Sequence, residues 1–402
     1  MAALIPKTSL QIASKQSVAV TSVAVQSSCN YSQKPHILKN PNLSNLKRGT
    51  GGRSSFNGIV CTIFGASGFI GKHVVGRLGR IGTQMIIPYR GDHYDVARLK
   101  VCGDLGQVLF HPFDLRDEES IVKCIKYSNV VINLIGRDYE TKNFKYGDVH
   151  VDGAARIARL CKENGVDRLI HVSCLNATAE PKPILLPRGS QFFKSKWEGE
   201  WAVKKEYPEA TIIRPSDVYG TEDRFIGVYG NRWRQHFRGI PLLNKGETVE
   251  KQPIWVGDVA AGIVAAIKDH KSAGRTYQFV GPKRYRLSDI MDYLHELLRR
   301  ECADYGYRRI ELKYAPLFML KVKLTEALSP AYPLGYLHME GLEKEHTCDN
   351  VVKGVPKLED LGIEPLPINE QFRWEAVPFR FDGSYEYEHN EFGDIQFPEP
   401  IA

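Results

Sequence analysis

Gly65-Ala66-Ser67-Gly68-Phe69-Ile70-Gly71 follows directly on the apolar run Ile59 to Phe64. A strand that ends in three spaced glycines and opens into a helix over 69–80 forms a cradle for a pyrophosphate. The glycines let the backbone turn tightly and approach the ligand, and the open N–H groups of the helix N-terminus favour negative charge. Glycine-rich turns are common, so the context decides: here the strand precedes and the helix follows. The expectation is a dinucleotide fold.

The next expected strand, 83–89, ends at Arg90, 19 residues beyond Gly71. A carboxylate near that distance bonds the 2′-hydroxyl of NAD, whereas arginine there suits a 2′-phosphate. Asp and Glu are absent from Met1 to Gly91. NADP(H) is therefore the expected cofactor.

The formal charge of +7 belongs to one segment. Of 54 lysines and arginines, residues 1–56 hold seven and no acid, which leaves 47 basic against 47 acidic residues. A neutral body removes the electrostatic case for nucleic-acid binding. A basic, Ser-rich, acid-free leader over 1–52 is the composition of a mitochondrial transit peptide and lacks the long apolar core of a secretory signal. Eight cysteines are scattered without a Cys-x-x-Cys pair, so reduced thiols are expected, with neither zinc nor an iron–sulfur cluster. No apolar run reaches membrane-spanning length.

Strands are expected over 58–64, 83–89, 106–112, 129–135, 166–174 and 210–214, with helices near 69–80, 117–127, 150–164 and 191–206. That alternation is the pattern of a Rossmann-type, doubly wound parallel α/β sheet, assigned to 53–215. From 216 to 380 the spacing becomes irregular, which reads as a smaller lobe partly folded back on the sheet, with a strand near 276–280. Ile310 to Leu328 is apolar but interrupted by Lys313, Lys321 and Lys323. It is expected to be a core helix with solvated lysines, with a face lying on a membrane or partner as the alternative. Acidic and aromatic residues interleave over 381–402, suggesting an arm that docks on another surface.

The glycine turn, Ser173 and a helix carrying Lys196 resemble the extended and atypical short-chain dehydrogenase/reductase superfamily. Its chemistry rests on a Tyr-x-x-x-Lys pair, in which the phenol moves a proton and the lysine lowers its pKa and binds the nicotinamide ribose. The matching stretch here is Phe192-Phe193-Lys194-Ser195-Lys196. Phenylalanine stands at the tyrosine position and has no ionisable proton. Tyr219, after the sixth strand, is the remaining candidate for a substitute. The resemblance further implies cofactor contacts from Asp114-Leu115, from Leu134-Ile135-Gly136 at the end of the fourth strand, and from Pro215. It also matches Trp255-Val256-Gly257-Asp258-Val259 to a segment that folds the smaller lobe onto the sheet.

Ile213 to Phe225, with Asn231, more closely resembles the signature of the dehydrogenase-like accessory subunits, number 9 of the alpha subcomplex, of mitochondrial complex I. Arg53 to Gly71 and His171 to Asn176 resemble that family too. The resemblance implies a non-catalytic, matrix-side subunit that holds NADPH tightly, without a metal, among the other subunits of the complex. Peripheral contact with the inner membrane is a further expectation. The residues themselves leave open a mitochondrial NADP(H)-dependent reductase or epimerase, or an NADPH sensor.

Overall fold

The computed structural model describes residues 47–401 apart from 238, 299–307, 330 and 380–394. The expected leader therefore falls almost wholly outside the described residues, as does most of the 381–402 arm.

The first half follows the alternation of the sequence: β1 (Val60–Phe64), α1 (Phe69–Arg80), β2 (Gln84–Tyr89), β3 (Val108–Pro112), α2 (Glu118–Ile125), β4 (Val130–Asn133), α3 (Gly153–Glu163), β5 (Arg168–Val172), α4 (Gln191–Glu206) and β6 (Thr211–Pro215). Helix α5 (Val256–Lys268) and strand β7 (Thr276–Phe279) follow. The sheet runs β3-β2-β1-β4-β5-β6-β7, with every neighbouring pair parallel. β7 pairs with β6, so chain beyond residue 215 completes this sheet.

Parallel strands covered on both faces are apolar throughout, and β1 shows how the two faces are divided. Cys61 and Ile63 pack with Val74, Val75 and Leu78 of α1 and Val259 and Ile263 of α5. Phe64 points the other way, to Ile121 of α2 and Ile157 and Leu160 of α3. Alternate residues thus serve opposite layers. Thr62, the polar member, donates to the Cys124 carbonyl at 2.8 Å. The strand therefore carries a buried hydroxyl without leaving it unpaired.

Helix α3 is entered through a π-helical turn at Gly147–Asp152. Gly199 of α4 lies so close that a Cβ there would overlap the His150 carbonyl. This approach sets α4, with Phe192 and Lys196, against His150.

The remaining chain builds a second lobe. Helices α6 (Leu287–Leu298), α7 (Pro316–Leu328), α8 (Met339–His346) and α9 (Ile368–Ala376) lie in it. Two separate cores hold these helices. α6 and α9 share one with Tyr219, Phe225 and Tyr229, whereas α7 and α8 share another, built on Phe318, Val322, Leu337 and Leu342. Asp258 at the start of α5 accepts the Leu366 N–H at 2.8 Å, which ties the two segments together.

Two expectations are corrected. In α7 only Phe318 and Val322 are buried, while Leu317, Leu320, Leu324 and Leu328 are each more than half exposed. The segment is a surface helix with an apolar outer stripe, and not a core helix. At the other end, residues of the arm that are described dock on this chain itself. Phe397 sits 4.5 Å from the Tyr293 ring and 5.2 Å from that of Tyr285, and Ile401 donates its N–H to the Arg284 carbonyl at 2.8 Å. An aromatic side chain packed this way removes apolar surface from water.

Candidate functional site

In a doubly wound sheet the ligand crevice opens beyond the carboxyl ends of the strands where the strand order reverses. That point lies between β1 and β4, and the glycine turn stands on it. Gly65 has φ +80°, and a Cβ there would sit 3.0 Å from the Leu134 carbonyl carbon. Gly68 caps α1 in an extended conformation, with no side-chain cap and no acidic residue in the first helical turn. The first N–H groups of α1 are thus left for an anion. A Cβ on Gly71 would stand 2.5 Å from the Gly65 carbonyl oxygen and 2.7 Å from the Ala66 Cα. Only glycine lets the helix start this close to its own turn.

The turn forms one wall of a cavity of about 250 Å³. Gly65, Gly68, Phe69, Ile70, Gly71, Leu134, Gly136, Ser173, Lys196 and Pro215, all expected at the site, line it together. Five expected residues do not. Ser67 is exposed on the turn. Ile135 packs on the core beneath the sheet. Leu115 is buried in that core, and its carbonyl accepts from Arg156 at 2.7 Å. Asp114 is exposed, and its carboxylate accepts the Arg116 N–H at 2.8 Å. Arg90 is exposed at the end of β2, its guanidinium 5.4 Å from the Phe144 ring centroid. Arg116 lies over the same ring at 4.4 Å. Burial and the neighbouring Arg137 hold the Arg90 guanidinium below its ordinary pKa. The loop Arg137–Phe144 therefore joins Arg90 to the cavity, on whose wall Arg137 stands.

At the far end, Lys196 is only 6% exposed and donates to the Val172 carbonyl at 3.3 Å. Burial lowers its ammonium pKa. Phe192, one turn earlier, presents a ring to the cavity where the superfamily has a phenol. The frame behind them is fully bonded. Arg137 N–H donates to His150 Nε2 at 3.1 Å, so the proton lies on Nδ1, which donates to Ser195 Oγ at 2.8 Å. Ser195 in turn donates to the Phe192 carbonyl at 2.9 Å. Burial and Lys196 keep His150 neutral, well below its ordinary pKa. Burial likewise lowers His171 to about 3. The Ser173 hydroxyl, buried on the cavity wall, has no hydrogen-bond partner among the described residues.

Tyr219 does not replace the missing phenol. It is wholly buried in the second core, 5.9 Å from the Phe372 ring, and does not reach the cavity wall.

The opposite wall carries charges that the sequence did not signal. Lys251 is buried and donates to Asp217 at 2.7 Å. Burial would raise the Asp217 carboxyl, but Lys251 and Lys344 outweigh it and hold it low. Asp349 accepts from Gln252 N–H at 2.8 Å and Asn176 at 3.2 Å. Lys344 Nζ stands 5.8 Å from the Phe192 ring centroid. Only Asp217 lies inside a recognisable motif. Lys344 and Asp349 come from a segment more than a hundred residues later, where nothing local marks them. Among the described residues no cluster of metal-ligating side chains forms.

The geometry agrees with what similar proteins are. The model of the NAD dependent epimerase/dehydratase family matches residues 61–279. The chain is 44% identical over 325 residues to the NADH dehydrogenase [ubiquinone] 1 alpha subcomplex subunit 9, mitochondrial, of Mus musculus, covering 80% of this chain and 81% of that one. It is 37% identical over 321 residues to the NADH-ubiquinone oxidoreductase 40 kDa subunit, mitochondrial, of Neurospora crassa, covering 80% of each. Among solved structures, dTDP-glucose 4,6-dehydratase from Bacillus anthracis shares the fold with a TM-score of 0.50 at 18% identity, over 72% of this chain and 95% of that one. The chain belongs to the NAD dependent epimerase/dehydratase family and, within it, to the family of alpha subcomplex subunit 9 proteins.

Proposed function

We propose that this chain is a non-catalytic accessory subunit of mitochondrial respiratory complex I, which holds NADPH as a structural ligand. It supports assembly and stability on the matrix side, near the junction of the peripheral and membrane arms. Phe192 carries the reading: a dinucleotide cradle with its buried lysine is retained, while the residue that would move a proton is apolar.

The residues present fit the nucleotide. The N-terminus of α1 would take the pyrophosphate, and Lys196 the nicotinamide ribose. Arg90, with Arg116 on the same aromatic ring, would take the 2′-phosphate. When bound, NADPH supplies a hydride donor, but Phe192 offers no proton to accompany hydride transfer. A ligand held by the folded chain stabilises it by an amount set by its concentration relative to its dissociation constant.

Peripheral membrane contact is supported by α7. Leu317, Leu320, Leu324 and Leu328 recur on one face of the helix, and Leu320 borders a surface groove together with Lys313 and Lys323. An apolar stripe flanked by lysines suits the interface of an anionic bilayer. Among the described residues no helix is long and apolar enough to cross a membrane.

Native electrophoresis of gently solubilised mitochondria tests the subunit reading. Co-migration with the megadalton NADH-oxidising band is expected. A free, low-mass species, or NADPH turnover by the purified chain, would replace it with the reductase reading.

A further inference from the structure

The cleft continues past Lys344 into a chamber of about 60 Å³ between the 224–234 segment and α8. Asp138, Asp217, Arg224 and Lys344 stand on both the main cavity and this chamber. Each carboxylate on its wall has a cationic partner, while two buried donor atoms have none within hydrogen-bond distance.

The carboxylates are paired. Asp138 is paired with Arg224. Asp217 is held by Lys251 at 2.7 Å, closer than Lys344 at 3.8 Å, so Lys344 keeps charge to spare. Both oxygens of Glu345 are taken by Arg234, whose Nη2 reaches them at 3.0 and 3.1 Å.

Two donor atoms are not. Arg234 is wholly buried, and Nη2 also donates to the Pro241 carbonyl at 2.8 Å. Its Nη1 has no partner within hydrogen-bond distance among the described residues, and the buried Tyr229 hydroxyl, which neighbours Glu345, has none within that distance either. Burial and the nearby Glu345 charge raise that phenol well above its ordinary pKa, so it keeps its proton. His338 accepts the Gly341 N–H on Nδ1 at 2.9 Å. Burial keeps that ring neutral, so Nε2 bears the proton. Unmet donors of this kind inside a protein are unfavourable unless something accepts from them.

We propose that this chamber binds a compact oxyanion, a carboxylate or phosphate group of a few heavy atoms. Arg234 Nη1, Tyr229 Oη and Lys344 Nζ are its donors. A charged acceptor gains most from a guanidinium N–H, and the chamber's size excludes a nucleotide. The chamber does not include the glycine turn, and of its proposed donors only Lys344 is shared with the main cavity.

The test is the thermal unfolding midpoint of the full chain, titrated with sodium phosphate and, separately, sodium acetate. Sodium chloride at matched ionic strength is the reference, and retained NADPH is followed by its fluorescence. A saturable rise with one oxyanion, beyond that with chloride, is expected. A response to phosphate alone assigns a phosphate ligand, and to acetate alone a carboxylate. Tyr229→Phe keeps the ring and should weaken the apparent affinity about tenfold, as loss of a hydrogen bond to a charged group does. Arg234→Lys keeps the charge but removes the fork and should abolish the response. Equal midpoints in phosphate, acetate and chloride overturn the proposal, leaving water as the occupant. An undiminished response in Tyr229→Phe, with NADPH retained, overturns it equally.

Discussion

Two glycines of α1 give a controlled test of the cradle. Alanine at Gly71 would place its Cβ 2.5 Å from the Gly65 oxygen and 2.7 Å from the Ala66 Cα, both backbone atoms that cannot swing aside. Alanine at Gly76, in the same helix, meets nothing within 4 Å. Both substitutions gain helix propensity, about 0.8–1.0 kcal/mol in a helix interior. Gly71→Ala alone adds overpacking of about 1–3 kcal/mol. The difference between the two variants isolates that steric cost. For a chain of 402 residues each kcal/mol corresponds to about 1 °C in unfolding midpoint. Gly76→Ala should therefore unfold about 1 °C above the parent, and Gly71→Ala about 1–3 °C below Gly76→Ala. The clash is relieved by moving the start of α1 from its turn, so NADPH affinity in Gly71→Ala should fall by about tenfold or more, the equivalent of about 1.4 kcal/mol. Gly76→Ala should bind as the parent does. Calorimetry and fluorescence titration of the two variants decide it. Equal midpoints, or full affinity in Gly71→Ala, would refute the reasoning that close packing shapes the anion site.

Other positions extend the test. Arg90→Ala should reduce the preference for NADPH over NADH by about tenfold, while an unchanged ratio would remove the 2′-phosphate assignment. The buried Glu343 carboxylate accepts the N–H groups of Ile184, Leu185 and Leu186 at 2.8, 2.6 and 3.0 Å. Glu343→Gln turns an amide donor toward them and should cost about 2–3 kcal/mol in chemical denaturation; a neutral result would deny that α8 holds the loop before α4. His171 is lowered by burial to about 3, and His150, His338 and His346 are lowered too. Their unfolded forms take up protons first, so their contribution to stability is full above about pH 6.5 and declines as pH falls below it, by up to about 1.4 kcal/mol per pH unit for each. Below about pH 6, Asp223, raised to about 6 by burial, offsets part of this. His171→Gln should flatten the decline between about pH 6.5 and 6 by roughly half to three-quarters of a proton, read from denaturation midpoints against pH.

The sequence exposed those parts of the site that depend on neighbours in the chain. β1, the turn and α1 were legible because an apolar run, spaced glycines and a helical period are all local. Lys196 was legible from its spacing to Phe192. Adjacent residues were harder: Asp114 and Leu115 follow the same strand, yet one faces solvent and the other enters the core. Helix α7 offered two apolar faces, Phe318 with Val322 and the leucine stripe, and composition cannot say which one a neighbouring helix covers. α8 covers the first. Strand β7 was visible as a strand, but its pairing with β6 depends on how the intervening segment, about sixty residues long, returns. Lys344 and Asp349 reach the cavity only through that folding, so no window around them carries the signal.

The bonding around Phe192 shows how α4 is held in place with phenylalanine at the tyrosine position. His150, Ser195 and the Phe192 carbonyl form a chain of hydrogen bonds that orients α4 without any phenol. A tyrosine hydroxyl could therefore be removed at this position without unpairing a neighbour, and the apolar ring packs against Tyr146 and His150. Lys196 and Ser173 are different. Each is buried at the cavity with fewer bonds than it can make, the lysine holding one carbonyl and the serine hydroxyl none among the described residues. Polar groups in that state weaken a fold unless a ligand completes them. Lys251 and Asp349 then fix the late segment 344–349 to the same cavity through Asp217 and Asn176. On the proposed function, a nucleotide that completed Lys196 and Ser173 would strengthen the wall to which α8 is tied, and through the core shared by α7 and α8 it would steady the helix that presents the leucine stripe.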